Sequence, residues 1–135
     1  MNYLLVFLIV CGQCMIGNVS GLTNDIHIWN DLDPKHKHTT LFVHCKSGSQ
    51  DQGPKYIPWG KVHHFGVEQN WRRSKLYWCT LRHGPNYRLG NKFDVYKYQD
   101  GVPNGHTYDW IAREDGVYFR RENGPIRKVH NWRPM

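Results

Sequence analysis

Nine histidines and four cysteines are the residues of this 135-residue chain best suited to chemistry. A secreted basic ribonuclease would use two histidines as general acid and base, with a cation at the phosphate. The adjacent His63 and His64 are the first candidates. They fall in a segment that alternates like a strand, where neighbouring side chains point to opposite faces, so the two cannot grip one phosphate together. His44 paired with either of them stays geometrically open. His36 and His38, in Pro34-Lys35-His36-Lys37-His38, have the spacing of a metal-ligand pair, but the interleaved lysine charges oppose a cation. No Gly-x-Ser-x-Gly segment presents a serine nucleophile, and no glycine-rich loop precedes a helix to cradle a phosphate. The residues therefore point away from catalysis, and no metal and no cofactor are expected.

The cysteines fit a structural role. Residues 1–21 carry no charged side chain, and Tyr3 to Val10 is an unbroken apolar run. That run falls short of the roughly 20 residues of a spanning helix and suits the hydrophobic region of a secretory signal peptide. Val19-Ser20-Gly21 supplies the small residues of a cleavage site, so the division expected is 1–21 signal peptide and 22–135 mature domain. Cys11 and Cys14 would leave with the leader. Cys45 and Cys79 remain, each at the end of a short apolar strand, and in an oxidising compartment they leave one pairing, Cys45 with Cys79. Asn18-Val19-Ser20 is the sole N-glycosylation acceptor, and Asn18 is modified only if the leader is not removed.

The elements that must position these residues are strands. Asp25–Asn30, Leu41–Cys45, Lys61–Val67, Leu76–Leu81 and Lys92–Tyr98 alternate polar and apolar. Tyr108–Arg113 and Val117–Arg121 flank Asp115-Gly116, the pattern of a β-hairpin turn. Ile126–Trp132 reads as a closing strand. Ser47–Pro58, Arg82–Gly90 and Gln99–His106, punctuated by Gly and Pro, read as loops. No segment keeps a 3.6-residue apolar period. Many short strands at near-regular spacing predict an all-β protein, a small antiparallel β-sandwich with one disulfide.

Taken in order, these residues resemble the plant self-incompatibility S-protein homologue family. The resemblance runs from about Ile26 to Trp132. It rests on an early strand ending in Asn30, His44-Cys45-Lys46-Ser47, Gly53 and Gly60, Phe65, Asn70-Trp71 and Tyr77-Trp78-Cys79. It continues through Phe93-Asp94-Val95-Tyr96 and Trp110-Ile111-Ala112-Arg113-Glu114-Asp115-Gly116-Val117-Tyr118. The resemblance implies a small secreted plant protein with a β-sandwich fold, not an enzyme. The best-understood members look like stigma-secreted ligands that recognise a pollen-surface receptor and trigger pollen rejection. Many members carry a second cysteine pair; here Gln99–Asp109 has none, so the loop that pair would tie is expected to be looser.

The net charge of +7 lies wholly in residues 71–135, which hold thirteen Lys or Arg against six Asp or Glu. Such a surface attracts a cell-surface receptor with an acidic face or an acidic cell-wall polysaccharide. Arg120, Arg121, Arg127, Lys128 and Arg133 are the candidate partner-binding residues. Arg120 and Arg121 face opposite ways on a strand, so at most one joins a common patch unless the strand lies at an edge. Trp59, Trp71 and Trp132 near loops would be the platform of a carbohydrate-binding module, against the plainer role of anchoring loops to the core. The function expected is that of a secreted recognition ligand acting in cell-cell signalling. A basic hydrolase such as a ribonuclease and a carbohydrate-binding module are the alternatives, and neither a nucleic-acid partner nor a transmembrane segment in the mature chain is expected.

Overall fold

A computed structural model of the chain describes residues 23–68, 76–98 and 105–135. The leader, Asn18, Trp71 and most of the Gln99–His106 segment lie outside the described residues. Ten strands follow in order: β1 Thr23–Asn30, β2 Leu41–Ser47, β3 Asp51–Ile57, β4 Val62–Glu68, β5 Leu76–His83, β6 Leu89–Lys97, β7 Thr107–Arg113, β8 Gly116–Arg121, β9 Arg127–His130 and β10 Arg133–Pro134. They form two five-stranded sheets. Sheet I has the order β4-β1-β7-β8-β9 and sheet II the order β10-β6-β5-β2-β3. Every neighbouring pair is antiparallel except β1 and β7, which run parallel.

Alternation along each strand builds the core between the sheets. β1 turns Asn24, Ile26, Ile28 and Asn30 inward, while β2 contributes Leu41, Val43 and Cys45 and β5 contributes Tyr77, Cys79 and Leu81; all are buried. Cys45 and Cys79 are directly opposed across the β2–β5 ladder, with Cα atoms 4.0 Å apart, and their sulfurs are bonded in the middle of this core. Trp110 and Trp132 pack against the same cluster. Each partly buried indole finds a carbonyl for its N–H, Trp110 donating to Val95 O at 3.1 Å and Trp132 to Arg113 O at 2.7 Å.

The structure departs from the sequence expectation in three places. Ser47–Pro58 is not all loop, because β3 occupies Asp51–Ile57. Gly53 and Pro54 hide this strand by their composition. They are tolerated because β3 is an edge, pairing only with β2, where a missing N–H costs no ladder bond. Ile126–Trp132 is not one strand: β9 pairs with β8 in sheet I and β10 with β6 in sheet II, so the chain changes sheets between them. The hairpin loop is Glu114-Asp115, one residue earlier than the Asp-Gly pair suggests, with Arg113 opposite Gly116. Gly116 serves close approach instead: a Cβ there would lie 2.5 Å from His130 O on β9.

Candidate functional site on the outer face of sheet I

The strands that bury Ile26, Tyr108 and Trp110 inward must turn His27, Asp109 and Arg113 outward. Asp109 nevertheless is only 3% exposed. The register explains this. His27 lies beside it on β1 and Arg120 beside it on β8, so a neighbour covers the carboxylate from each flank. Trp29 Nε1 donates to its Oδ1 at 2.9 Å, His27 Nδ1 bonds the same oxygen at 3.1 Å, and Arg120 Nε donates to Oδ2 at 3.0 Å. Burial alone pushes the Asp109 carboxyl up, but the bonds from Trp29, Arg120 and His27 outweigh it and hold the pKa below its ordinary value. Asp109 is thus an ionised hub that fixes one indole, one imidazole and one guanidinium on the same face.

Beside this hub runs a groove of about 280 Å³, lined among others by Trp29, Ile111, Arg113, Arg120 and Ile126. Arg113 Nε donates to Asp31 Oδ2 at 3.0 Å, and its guanidinium lies 4.7 Å from the centre of the Tyr118 ring. Tyr118 donates its hydroxyl proton to Asp115 Oδ2 at 2.7 Å, and Lys128 Nζ stands 3.8 Å from the same oxygen. The Tyr118 hydrogen bond, with Lys128 and Arg113 nearby, holds the Asp115 carboxyl below its usual value. Ile126 remains well exposed at the rim. The groove therefore joins apolar side chains to two guanidinium groups whose Nε atoms are already committed to carboxylates.

The five basic candidates do not form one patch. The register sets Lys128 opposite Tyr118 and Arg127 opposite Phe119, so Arg120 and Lys128 share the outer face while Arg121 and Arg127 share the other side of the same β8–β9 ribbon. Because β9 is the sheet edge, both pairs reach solvent around it. Arg121 lies 5.9 Å from the Tyr108 ring centre. Arg133 lies on β10, opposite Gly90 in the other sheet. Among the described residues Arg127 and Arg133 have no ion-pair partner. Asp109, Trp29 and Arg113 are the members that sequence reasoning missed. The alternation of Thr107–Arg113 turns Asp109 and Arg113 outward together, but nothing local announces β1 as the parallel neighbour that completes the site.

The histidines do not converge as a ribonuclease of the expected kind would need. His63 bonds Gln52 Oε1 at 3.1 Å and packs on Phe65, while His64 is exposed on the opposite face of β4. His44 stands on sheet II, its Nε2 bonded to Asp51 Oδ1 at 2.6 Å. His36 sits 3.7 Å from Asp33 and 3.9 Å from Glu114, beyond hydrogen-bond distance, and no metal-holding group of three His, Cys, Asp or Glu occurs among the described residues. Trp132 is an anchor of the core, as its plainer role requires, and Trp59 is 49% exposed in the turn before β4. No helix among the described residues is long and apolar enough to cross a membrane.

The geometry defines a class first: a small two-sheet β-sandwich, stapled through its core by one disulfide, with a charged and grooved outer face. The profile of the plant self-incompatibility protein S1 family matches residues 25–132. S-protein homolog 21 of Arabidopsis thaliana is 38% identical over 134 residues, covering 98% of this chain and 99% of that protein. S-protein homolog 31 of Arabidopsis thaliana is 36% identical, covering 98% of each. A solved structure of an SPH (self-incompatibility protein homologue) protein, from a family described as small, highly stable, secreted proteins from plants, superposes with a TM-score of 0.67 at 25% identity. It covers 82% of this chain and 95% of that one. The chain belongs to the plant self-incompatibility protein S1 family.

Proposed function

We propose that this protein is a secreted recognition ligand that binds an acidic cell-surface receptor through the outer face of sheet I and the β8–β9 edge. The observation that carries this reading is the pre-ordered groove, in which Asp31 and Asp109 hold Arg113 and Arg120 in place beside Trp29, Ile111 and Ile126. Side chains fixed before binding lose little conformational freedom on contact, which favours affinity. An acidic residue of the partner flanked by an apolar one suits this lining. Arg127, at the β9 edge and without an ion-pair partner among the described residues, would speed encounter with such a surface, and that attraction is screened by salt, with a Debye length of about 10 Å at 0.1 M. Secretion is supported by the apolar leader, the core disulfide and the description of the SPH relative. Sequencing of secreted material should begin at Leu22; a chain retaining Met1 in a membrane fraction refutes the cleaved leader.

The test is charge reversal. The double variant R127E/K128E should fold as the parent does and associate with receptor-bearing cells at least several-fold more slowly at low salt. Equal association of the two proteins at low and high salt refutes the role of this edge. A catalytic reading is favoured by one observation, the His27–Asp109 dyad with the His64 ring 6.1 Å from that of His27. Purified protein should nevertheless leave single-stranded RNA intact between pH 5 and 8. Hydrolysis that disappears in H27A would make the protein a nuclease.

A further inference from the structure

The outer face of sheet II carries a second feature that the receptor-binding reading does not use. Phe42 on β2 lies opposite Tyr56 on β3 and opposite Arg82 on β5. The Phe42 and Tyr56 rings meet at 5.5 Å and 71°, and Tyr87, from the turn after β5, meets Tyr56 at 5.7 Å and 67°. Three aromatic rings therefore face solvent together, and Tyr56 is 58% exposed.

The backbone is strained to put Tyr87 there. Asn86 and Tyr87 have φ of 52° and 53°, consecutive left-handed residues that carry Cβ atoms. That region is disfavoured for any side chain and most for bulky ones, and such strain gathers at binding sites. Relaxing it would carry the tyrosine ring off the cluster.

Two depressions meet at Tyr87. One, of about 350 Å³, is lined by Phe42, His44, Tyr56, Thr80, Arg82 and Tyr87. The other, of about 290 Å³, has Lys37, His38 and Asn86 beside the same tyrosine. Each thus holds one cation, and neither Arg82 nor Lys37 has an ion-pair partner among the described residues. The His44 ring is fixed by Asp51, at 2.6 Å.

We propose that this face binds an acidic polysaccharide, one uronate ring stacking on Tyr56 and Phe42 with its carboxylate on Arg82, and the next carboxylate meeting Lys37. The C–H face of a pyranose gains dispersion against aromatic rings. A guanidinium takes a carboxylate through two N–H donors. Thr80 and His44 offer partners for ring hydroxyls. One cation in each of two adjoining depressions suits a polymer with one carboxylate per sugar, and the +7 net charge draws polyanions to the surface. An added peptide strand is disfavoured here, because the β3 edge carries Gly53, Pro54 and a register shift between His44 and Lys46.

The test uses the disulfide-intact secreted protein with aromatic side chains labelled for NMR, in 0.15 M salt. The probes are an α-1,4-linked hexagalacturonate, the neutral β-1,4-linked glucose hexamer and a ten-nucleotide oligouridylate. Hexagalacturonate should shift the Phe42, Tyr56 and Tyr87 ring signals and bind more tightly than either other probe. Y56A should weaken it by roughly fivefold to tenfold and R82Q by about tenfold, while R127E/K128E leaves it within about twofold. No binding, equal binding of the neutral hexamer, or tighter binding of oligouridylate overturns the proposal. So does a loss that follows net charge alone and is the same for R127E/K128E as for R82Q. Ring signals that move with protein concentration and not with sugar assign the face to a second copy of the chain, which also overturns it. The receptor-binding reading rests on other residues and stands or falls separately.

Discussion

Replacing Asp109 by asparagine tests whether the outer face of sheet I is held by one ionised hub. The two carboxylate oxygens have different tasks. Oδ1 accepts from Trp29 at 2.9 Å and bonds His27 at 3.1 Å, while Oδ2 accepts from Arg120 at 3.0 Å. An asparagine that keeps its carbonyl toward Trp29 must turn its NH2 toward the Arg120 Nε–H, donor against donor. One charge-assisted hydrogen bond, of about 1.5–3 kcal/mol, becomes a repulsive contact. Arg120 is partly exposed and can swing to water, which limits the penalty, so a loss of about 2–3 kcal/mol is expected. In the double variant D109N/R120Q the amides can pair, and the cost should be less than the sum of the single variants by about 1–2 kcal/mol. The pH dependence gives an independent reading. The folded pKa of Asp109 lies below the ordinary 3.8, so its stabilisation is complete above the unfolded value and is lost as pH falls through the folded one. Urea unfolding should therefore show a D109N deficit that is constant above about pH 5 and shrinks below about pH 4. A deficit under about 0.5 kcal/mol, or one unchanged down to pH 2, refutes the hub.

Three further perturbations have definite outcomes. Denatured secreted protein should titrate no free thiol, and removing the Cys45–Cys79 bond, which closes a separation of 34 residues, should cost about 3–4 kcal/mol in urea melts. His83 is buried against the Trp132 ring at 4.3 Å with neither nitrogen bonded among the described residues, and burial holds its pKa below the ordinary 6.5. Unfolding then takes up a proton below pH 6.5, so stability should fall with pH through that window, and H83L should flatten the slope. Asn30 donates to Thr39 O at 2.7 Å and Ile57 O at 2.8 Å and accepts from Leu32 N at 3.1 Å; N30A should lose about 3 kcal/mol by calorimetry, and N30D more at neutral pH, where its charge would face two carbonyls.

Local alternation made most of the fold legible. Asp25–Asn30, Leu41–Cys45 and Leu76–Leu81 declare both strand and inward face, because burying Ile26, Val43 or Cys79 demands a period of two. The Cys45–Cys79 bond was legible because the other two cysteines, Cys11 and Cys14, fall in the segment read as a leader, which left one pairing. β3 was not legible: an edge strand that buries little besides Ile57 needs no alternation, and edge pairing tolerates Gly53 and Pro54. The candidate site was legible only in part. Charge counting finds Arg120, Arg127 and Lys128, but it cannot see that Asp109 already holds Arg120, since that depends on the β7–β8 register, which the Glu114-Asp115 turn sets differently from an Asp115-Gly116 turn. Tyr87 was hidden for a similar reason, because only the backbone shows that Asn86 and Tyr87 turn left-handed.

The parallel pairing of β1 with β7 sets a folding order. Asp25 of β1 stands opposite Thr107, at the far end of the chain, so this contact closes late and slowly. Chains emerge from their amino-terminal end, so β1 must wait with Ile26 and Ile28 uncovered until about three-fifths of the chain has followed it. Its early partner is β4, paired from Thr23↔Glu68 to Trp29↔Val62, which can shelter one edge of β1 in the interval. The other edge stays open to any extended segment nearby, the condition under which strands pair wrongly. Oxidation of Cys45 with Cys79 needs only β2 and β5, so the β2–β5 ladder at the centre of sheet II can be locked before β7 exists. The protein then assembles sheet I against a surface already cross-linked at its centre, and substitutions that delay β7 should reduce secreted yield more than they reduce the stability of molecules already folded.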